Sequence, residues 1–315
     1  MTNVRFGLQL WPQATTWPEV RDAAIAAEAA GWDSIWTWDH LLAIQGPWQQ
    51  PIYEGWTFLA GLASLTSRVR LGLMVGANTF RNPGLTTKLA TTLDHVSNGR
   101  AVLGIGGAWF DREHEAFGID FGKSPGERLD WLGEAVPLMR RLLDGELVTH
   151  EGRFYTFTDA LCEPRPIQSR LPILIGGSGR EKTLRTTARH ADLWNGYGEP
   201  ARIAETSEVL RQRCEEIGRP FEAIERTVTM EVVIRASESD AREAYEVVED
   251  RHGIRGRIGS DGTPRGLNAA GPPEVVADYV RQYERLGIAE VIWIFRNPFD
   301  LESMSRLDEV RALLA

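Results

Sequence analysis

Four consecutive residues, Gly176-Gly177-Ser178-Gly179, lie near the middle of the 315-residue sequence and are followed directly by Arg180. They come after the apolar run 172–175, which predicts a strand, and before a helix predicted to begin at Arg180. Glycine N–H groups can approach an anion closely, a helix N-terminus adds partial positive charge, and Ser178 and Arg180 can donate further hydrogen bonds. The pattern predicts either a phosphate-binding turn or a tight strand-to-helix turn that needs only glycine.

A second candidate is the Asp39-His40 pair, which directly follows a predicted strand at 33–38. A histidine at a pocket rim can donate or accept a proton near neutral pH, and an adjacent carboxylate can accept a hydrogen bond from its ring. The same dipeptide is equally typical of a helix cap, so these residues alone leave both interpretations open. Glu231 also has two interpretations, as a catalytic carboxylate or as one member of a buried ion pair.

The sequence lacks the catalytic residues that several common enzyme classes need. A glycosidase needs two facing carboxylates, and Asp39 and Glu231 are the only candidates for such a pair. The six histidines are scattered, with no HExxH motif, and there is no GxSxG or GxxxxGK[ST] segment. Cys162 and Cys214 have no activating base nearby in the sequence. What remains favours the binding of a flat, partly anionic organic cofactor.

Eight predicted strands, each followed by a helix, position these residues. The strands are predicted at 5–11, 33–38, 69–75, 100–105, 172–175, 191–194, 226–235 and 290–295. This repeat is typical of a (β/α)8 TIM barrel, a single domain over 1–315, and the first turn lacks the GxGxxG of a doubly wound sheet. Active sites of such barrels lie at the C-terminal ends of the strands. Insertions at that rim are predicted near 106–124, 145–170 (with a β-hairpin) and 253–272.

The composition limits the partners and the location. With 43% hydrophobic residues and a net charge of -9, the chain has the composition of a soluble globular protein, and we expect no binding to nucleic acid or anionic membranes. No apolar stretch approaches the length of a bilayer span. Two cysteines cannot form a disulfide framework, and no signal-peptide segment is evident at the start. A cytoplasmic protein is predicted.

Seven segments with characteristic sequences are spread in order along the whole chain. They are FGLQL at 6–10, GWDSIWTWDH at 31–40, RVRLGLMV at 68–75, TFRNP at 79–83, SNGRAVLGIGGAWFDREHEAFG at 97–118, ERLDWLGEAVPLMRRL at 127–142 and GGSGREKTLRTTARHADLWN at 176–195. Together they resemble the bacterial-luciferase-like superfamily of flavin and deazaflavin oxidoreductases. Within it, Asp39-His40 and DLWN at 192–195 are most similar to the branch that uses the deazaflavin coenzyme F420.

The resemblance implies how a cofactor is held. Asp39 matches the residue that hydrogen-bonds the deazaflavin ring, and His40 matches the active-site histidine near the reacting carbon. Met74-Val75, followed by Gly76, matches a non-prolyl cis peptide bulge that supports the ring. The residues assigned by resemblance to the phosphate cradle and its neighbouring wall are Gly176, Gly177, Ser178, Gly179, Arg180, Trp194 and Asn195.

Three positions depart from the sugar-phosphate dehydrogenases of this branch. Trp109 stands where they have a glutamate proton donor, Arg112 where they have a cofactor-contacting asparagine, and Trp48 is only a loose equivalent of their active-site tryptophan. We place Trp109 with His40 in the catalytic site and Arg112 among the cofactor-binding residues. Oxidation of a sugar phosphate is therefore disfavoured, and we expect reduction of an unsaturated or imine-type bond, with His40, a water or solvent supplying the proton.

The leading hypothesis is a homodimeric oxidoreductase that transfers a hydride between reduced coenzyme F420 and a small organic substrate. Two alternatives stay open: an FMN-dependent monooxygenase, and a non-catalytic barrel that binds a flavin or deazaflavin. The segment 253–272 is rich in glycine and arginine, and we expect it to become ordered over the bound cofactor or substrate.

Overall fold

A closed barrel of eight parallel strands forms the centre of the molecule. The computed structural model describes residues 4–255 and 267–315. Each strand pairs with its neighbours in chain order, including the third with the fourth, and pairing of the first with the eighth closes the ring. The predicted (β/α)8 barrel is confirmed. The strands are β1 (Arg5–Leu10), β2 (Ser34–Thr37), β3 (Arg70–Leu73), β4 (Ala101–Gly106), β5 (Ile173–Gly176), β6 (Leu193–Tyr197), β7 (Glu225–Met230) and β8 (Glu290–Phe295).

Helices surround the barrel, as the predicted repeat requires. They are α1 (Trp17–Ala29), α2 (Gly55–Ala63), α3 (Pro83–Val96), α4 (Asp111–Phe117), α5 (Pro125–Leu143), α6 (Thr183–His190), α7 (Pro200–Glu215), α8 (Glu238–His252), α9 (Pro273–Arg285), α10 (Leu301–Ser305) and α11 (Leu307–Leu314). Proline in the first turn of α1, α3, α5, α7 and α9 marks their starts. Among the described residues, no helix is long and apolar enough to span a membrane.

Side chains alternate between the barrel interior and the layer under the helices. On β1, Phe6 and Leu8 belong to the outer core, and Trp293 on β8 packs edge-on against Phe6. Trp36 on β2 instead fills the interior, where a Cβ at Gly72 would lie 2.7 Å from its ring. At this level the interior is therefore filled by side chains.

Several element boundaries differ from the sequence prediction, and two of these differences affect the mouth. The helix predicted to begin at Arg180 starts at Thr183, because residues 180–182 form a wide turn in which Leu184 N–H donates to Gly179 O at 3.0 Å. The strand predicted at 226–235 stops at Met230, because Glu231 N–H donates to the Asn268 side chain at 2.7 Å instead of to a ladder.

The first and third predicted insertions follow β4 and α8, whereas 145–170 joins the end of α5 to β5, and Gln168 Nε2 donates to Ala101 O at the N-terminal end of β4, away from the mouth. Within 106–124 the chain forms α4, and within 145–170 the predicted hairpin is present, with Val148–Glu151 antiparallel to Thr156–Ala160. Residues 269–271 of the third insertion pair with 232–234 in a two-stranded extension. Residues 256–266, which carry much of the predicted mobile segment, lie outside the described residues.

Candidate active site

The chain after β3 builds the centre of the mouth. The Met74-Val75 peptide is cis, as the resemblance implied, and Gln9 Nε2 donates to Met74 O at 3.0 Å. The Val75 side chain occupies the space above two neighbouring strands: a Cβ at Gly106 or Gly176 would lie 2.7 or 2.8 Å from it. Glycine at these two strand ends is therefore required by packing.

Asp39 is buried at the end of β2 with both carboxylate oxygens in use. Arg81 donates to Oδ2 at 2.6 Å and to Oδ1 at 3.0 Å, and Ala77 N–H donates to Oδ2 at 3.0 Å. Arg81 also donates to Glu54 at 2.6 Å. Arg81 belongs to the TFRNP segment, but the sequence does not predict its place in the site. No local pattern connects it with a carboxylate 42 residues earlier.

His40 forms a dyad with Glu113, a residue that the sequence analysis missed. His40 Nδ1 lies 2.8 Å from Glu113 Oε1, and Glu113 Oε2 accepts from Leu41 N–H at 2.7 Å. Glu113 is 1% exposed, on the first turn of α4. Because a carboxylate only accepts, the contact assigns a proton to Nδ1, and Nε2 has no hydrogen-bond partner among the described residues. The sequence signal was a glutamate four residues after Trp109.

Two adjoining cavities open at the mouth. The glycine-lined cavity has a volume of about 460 Å³, and its lining includes Asp39, His40, Met74, Val75, Gly76, Gly106, Gly107, Trp109, Glu113, Gly176, Gly177 and Asn195. The aromatic chamber has a volume of about 390 Å³, and its lining includes Gln9, Trp11, Trp38, Trp109, Thr229, Glu231, Tyr245 and Arg296. Trp38, Ile44, Met74, Trp109, Asn195 and Tyr197 line both spaces.

Aromatic rings surround the dyad where the two spaces meet. Trp38 and Trp109 lie edge-on to the His40 ring, with centroids 5.6 and 5.5 Å away. Asn195, on the inner face of β6, donates to Thr227 at 3.0 Å and to Thr229 at 3.1 Å. Of the two interpretations of Glu231, the structure bears out the buried ion pair, with Arg296.

Five predicted cofactor residues lie beside the cavity lining and not in it. Ser178 and Gly179 form the extended turn before α6, and exposed Arg180 pairs with Glu205. The Arg112 guanidinium stacks on Trp48, 4.5 Å from the ring centroid. Trp194 is fully buried in the outer core, and its Nε1 donates to Gly177 O at 2.8 Å. Trp194 thus contacts the mouth through a backbone carbonyl.

The fold and the mouth define a class: a (β/α)8 barrel with a cis bulge after its third strand and a histidine–carboxylate pair beside it. The family model for luciferase-like monooxygenases matches residues 2–290. The chain belongs to that family.

Curated relatives include a phthiodiolone/phenolphthiodiolone dimycocerosates ketoreductase of Mycobacterium tuberculosis, 30% identical over 276 residues, covering 76% of this chain and 71% of that protein. An uncharacterized Mycobacterium tuberculosis protein is 35% identical over 141 residues, covering 45% of this chain and 49% of its own length. The chain therefore spans about half the length of that relative.

Solved structures share the fold. An F420-dependent tetrahydromethanopterin reductase from Methanopyrus kandleri superposes with a TM-score of 0.81 at 21% identity, covering 99% of each chain. An F420-dependent secondary alcohol dehydrogenase with an F420-acetone adduct gives 0.85 at 18% identity, covering all of both chains. A riboflavin lyase with modified FMN gives 0.82 at 17% identity, covering 99% of this chain and 91% of that one.

His252 lies behind the aromatic chamber, edge-on to Trp11 at 5.7 Å. Its Nε2–H donates to Asn297 O at 2.7 Å, and burial lowers its pKa from 6.5 to about 4. Because the native pKa lies below the unfolded value, the unfolded chain takes up this proton first as the pH falls. This contribution to stability is therefore complete above pH 6.5 and is lost towards pH 4.

We expect His252→Gln, which keeps a donor for Asn297 O, to remove about 3 kcal/mol of the acid-induced loss in unfolding free energy between pH 6.5 and 4. Urea unfolding at several pH values measures this difference. His95→Gln, at an exposed helix end, is the matched control and should keep the wild-type pH slope. Equal slopes for His252→Gln and wild type would contradict the assignment.

Proposed function

We propose that the chain is an F420-dependent oxidoreductase that moves a hydride between the reduced deazaflavin and a small organic substrate. The reaction we infer is reduction of a polarised double bond, of the unsaturated, imine or carbonyl type. The observation that carries this proposal is the His40–Glu113 dyad, which lies beside the bulge at Met74-Val75 where two cavities adjoin. The ketoreductase relative and the F420-dependent structural neighbours support it.

The glycine-lined cavity fits a flat ring system. Its walls at Gly76, Gly106, Gly107 and Gly176 have no side chains, and Val75 presents an apolar surface between them. A ring resting on Val75 would have His40 in the same cavity. Asp39, whose orientation is fixed by Arg81, lies at the edge of this space.

The turn after β5 fits the phosphate of such a cofactor. Gly177 N–H is already used, because it donates to Asn195 O at 3.2 Å. The N–H groups of Ser178, Gly179 and Arg180 donate to no residue within the described part of the chain, and α6 follows with its partial positive charge. We therefore place the phosphate against residues 178–180.

When bound, the reduced deazaflavin supplies the hydride. The hydride adds to the electrophilic carbon of the double bond, and the electron pair released to the other atom takes a proton. His40 Nε2–H donates that proton, and Glu113 stabilises the charged imidazole through Nδ1. Solvent then restores the proton on His40. Trp38 and Trp109 pack edge-on to the ring and the His40 side chain is 11% exposed, so we infer that the proton comes from His40.

An anaerobic assay tests the proposal. The protein is mixed with reduced F420 and, separately, a model enone, imine and ketone, and deazaflavin oxidation is followed by absorbance. Turnover with F420 supports the proposal. Oxygen-dependent turnover of reduced FMN without F420 oxidation would instead identify the FMN monooxygenase, which the FMN-containing structural neighbour keeps as the second candidate. Tight F420 binding with no turnover would identify a carrier.

His40→Ala should lower kcat by about 100- to 10,000-fold and leave the Kd for F420 near the wild-type value, because the histidine moves a proton and does not bind the phosphate. Glu113→Gln should lower kcat by about 10- to 100-fold, because the neutral amide no longer stabilises the imidazolium. Stopped-flow oxidation of reduced F420 measures both.

Glu115→Gln, an exposed change on the same helix, is the matched control and should retain wild-type kcat. Unchanged kcat in both His40→Ala and Glu113→Gln would exclude the dyad as the proton source.

Gly177→Val should weaken F420 binding strongly. The backbone there has φ +118°, which β-branched residues rarely adopt, and the new Cβ would lie 3.3 Å from Thr183. The strained turn would displace residues 178–180 from the phosphate. Arg180→Ala should weaken binding less, by about 1–3 kcal/mol, as expected for one charge-assisted contact. Fluorescence titration with F420 gives both Kd values.

Arg185→Ala, which removes an exposed arginine from α6, controls for general loss of charge and should leave the Kd unchanged. If folded Gly177→Val binds F420 like the wild type, the GGSG turn is only a structural corner.

A further inference from the structure

The aromatic chamber contains two charged side chains among the residues that the structure describes, and they neutralise each other. Arg296 Nη2 donates to Glu231 Oε1 at 2.5 Å, and Arg296 Nη1 donates to Glu231 Oε2. Glu231 is 4% exposed and Arg296 is 6% exposed. A guanidinium fork that binds both carboxylate oxygens uses the most favourable geometry for each partner.

The surroundings keep this pair in place. The Arg296 guanidinium lies 4.0 Å from the centre of the Trp11 ring, and Tyr245 Oη donates to Glu231 Oε2. The Glu231 backbone is fixed as well, through the Asn268 side chain at 2.7 Å. Neither charge is therefore free to turn towards a molecule that enters the chamber.

A charged ligand would meet an unfavourable environment there. Its ionic group would lose hydration among indole rings, and a buried charge without a counter-charge is costly. An anion would have to compete with Glu231 for Arg296 and would be repelled by that carboxylate, because Arg296 Nε, which has no partner among the described residues, is itself buried. A cation would be repelled by Arg296 and would have to displace that arginine to reach Glu231. An uncharged molecule loses little, since Trp11 and Trp38 offer apolar ring faces.

We propose that the Glu231–Arg296 pair is the specificity determinant of the aromatic chamber and restricts it to electrically neutral organic molecules, excluding carboxylates, phosphates and ammonium compounds. The proposal rests on the proposed function in one respect, that the chamber receives the substrate. It goes further by assigning the substrate's charge class to two named residues that take no part in proton transfer.

The first experiment uses the wild-type chain without variants. Benzyl alcohol, benzoate and benzylamine have one ring each and differ in charge, and each is titrated into the protein while intrinsic tryptophan fluorescence and heat are recorded. We expect benzyl alcohol to bind at least about tenfold more tightly than either ion. Benzoate or benzylamine binding as tightly as benzyl alcohol would overturn the proposal.

The second experiment changes the charge of the chamber. Glu231→Gln leaves Arg296 without its counter-ion, so benzoate affinity should rise at least about tenfold. Arg296→Met leaves Glu231 alone beside Trp11, so benzylamine affinity should rise instead. Opposite shifts in the two variants are a readout that general destabilisation does not give. Folded variants that keep the wild-type order of the three probes would overturn the proposal.

Glu290→Gln is the matched control. Glu290 is fully buried and pairs with Arg70 at the N-terminal end of the barrel, far from the mouth, so its loss breaks an equivalent ion pair. We expect lower stability with an unchanged order of the three probes. If Glu231→Gln does not fold, the Arg296→Met and wild-type arms still decide the question.

The two proposals fail separately. F420 binding is measured in the same samples by absorbance and depends on the glycine-lined cavity. If F420 does not bind while the neutral preference and its reversal are observed, the proposed function is wrong and the charge rule holds. If F420 turns over while the probe order does not respond to either variant, the charge rule is wrong and the proposed function holds.

Discussion

The position of the Val75 side chain determines how the mouth of this barrel is built. Strands β4 and β5 must end in glycine at 106 and 176, because any Cβ there would collide with Val75. Two residues earlier on β4, a Cβ at Gly104 would lie 1.8 Å from Leu73 O. Position 104, beside the residue that leads into the bulge, must therefore also be glycine. The result is an apolar residue surrounded by bare backbone, which leaves a flat space where most barrels have side chains.

Paired charges organise the rest of the mouth. Asp39 with Arg81, His40 with Glu113, and Glu231 with Arg296 are in direct contact, and the carboxylate of each pair is buried. Buried charges without partners are strongly destabilising, so each pair keeps its members in one orientation. Only the His40–Glu113 pair has an unsatisfied ring nitrogen within the described chain, at Nε2. We therefore propose proton transfer through that pair, whereas Asp39 also accepts from Ala77 N–H beside the bulge and Glu231–Arg296 is the pair proposed to set the charge of the chamber.

Local patterns were enough to predict the barrel and part of the mouth. Alternating segments or short apolar runs identified all eight strands, and residues just past them, such as Asp39, His40 and Gly176, line a cavity. Glu113 was missed because its contact with His40 spans 73 residues and its neighbours resemble an ordinary helix start. The resemblance placed Trp194 on the cavity wall, but its side chain lies in the outer core. Its orientation is set by the register of β6 with β5 and β7, which a local pattern does not show. The turn at 180–182 depends on the Gly179 carbonyl, which accepts a hydrogen bond from Leu184 N–H.

We propose that the glycine-lined cavity holds a deazaflavin ring against Val75 with His40 beside it. A crystal structure of the chain with oxidised F420 tests this most directly. We expect the ring to lie flat on Val75, with its phosphate on the N–H groups of residues 178–180 and with His40 Nε2 facing the reacting carbon across the entrance of the aromatic chamber. A ring bound elsewhere, or a cavity that stays filled only with water at saturating F420, would contradict it.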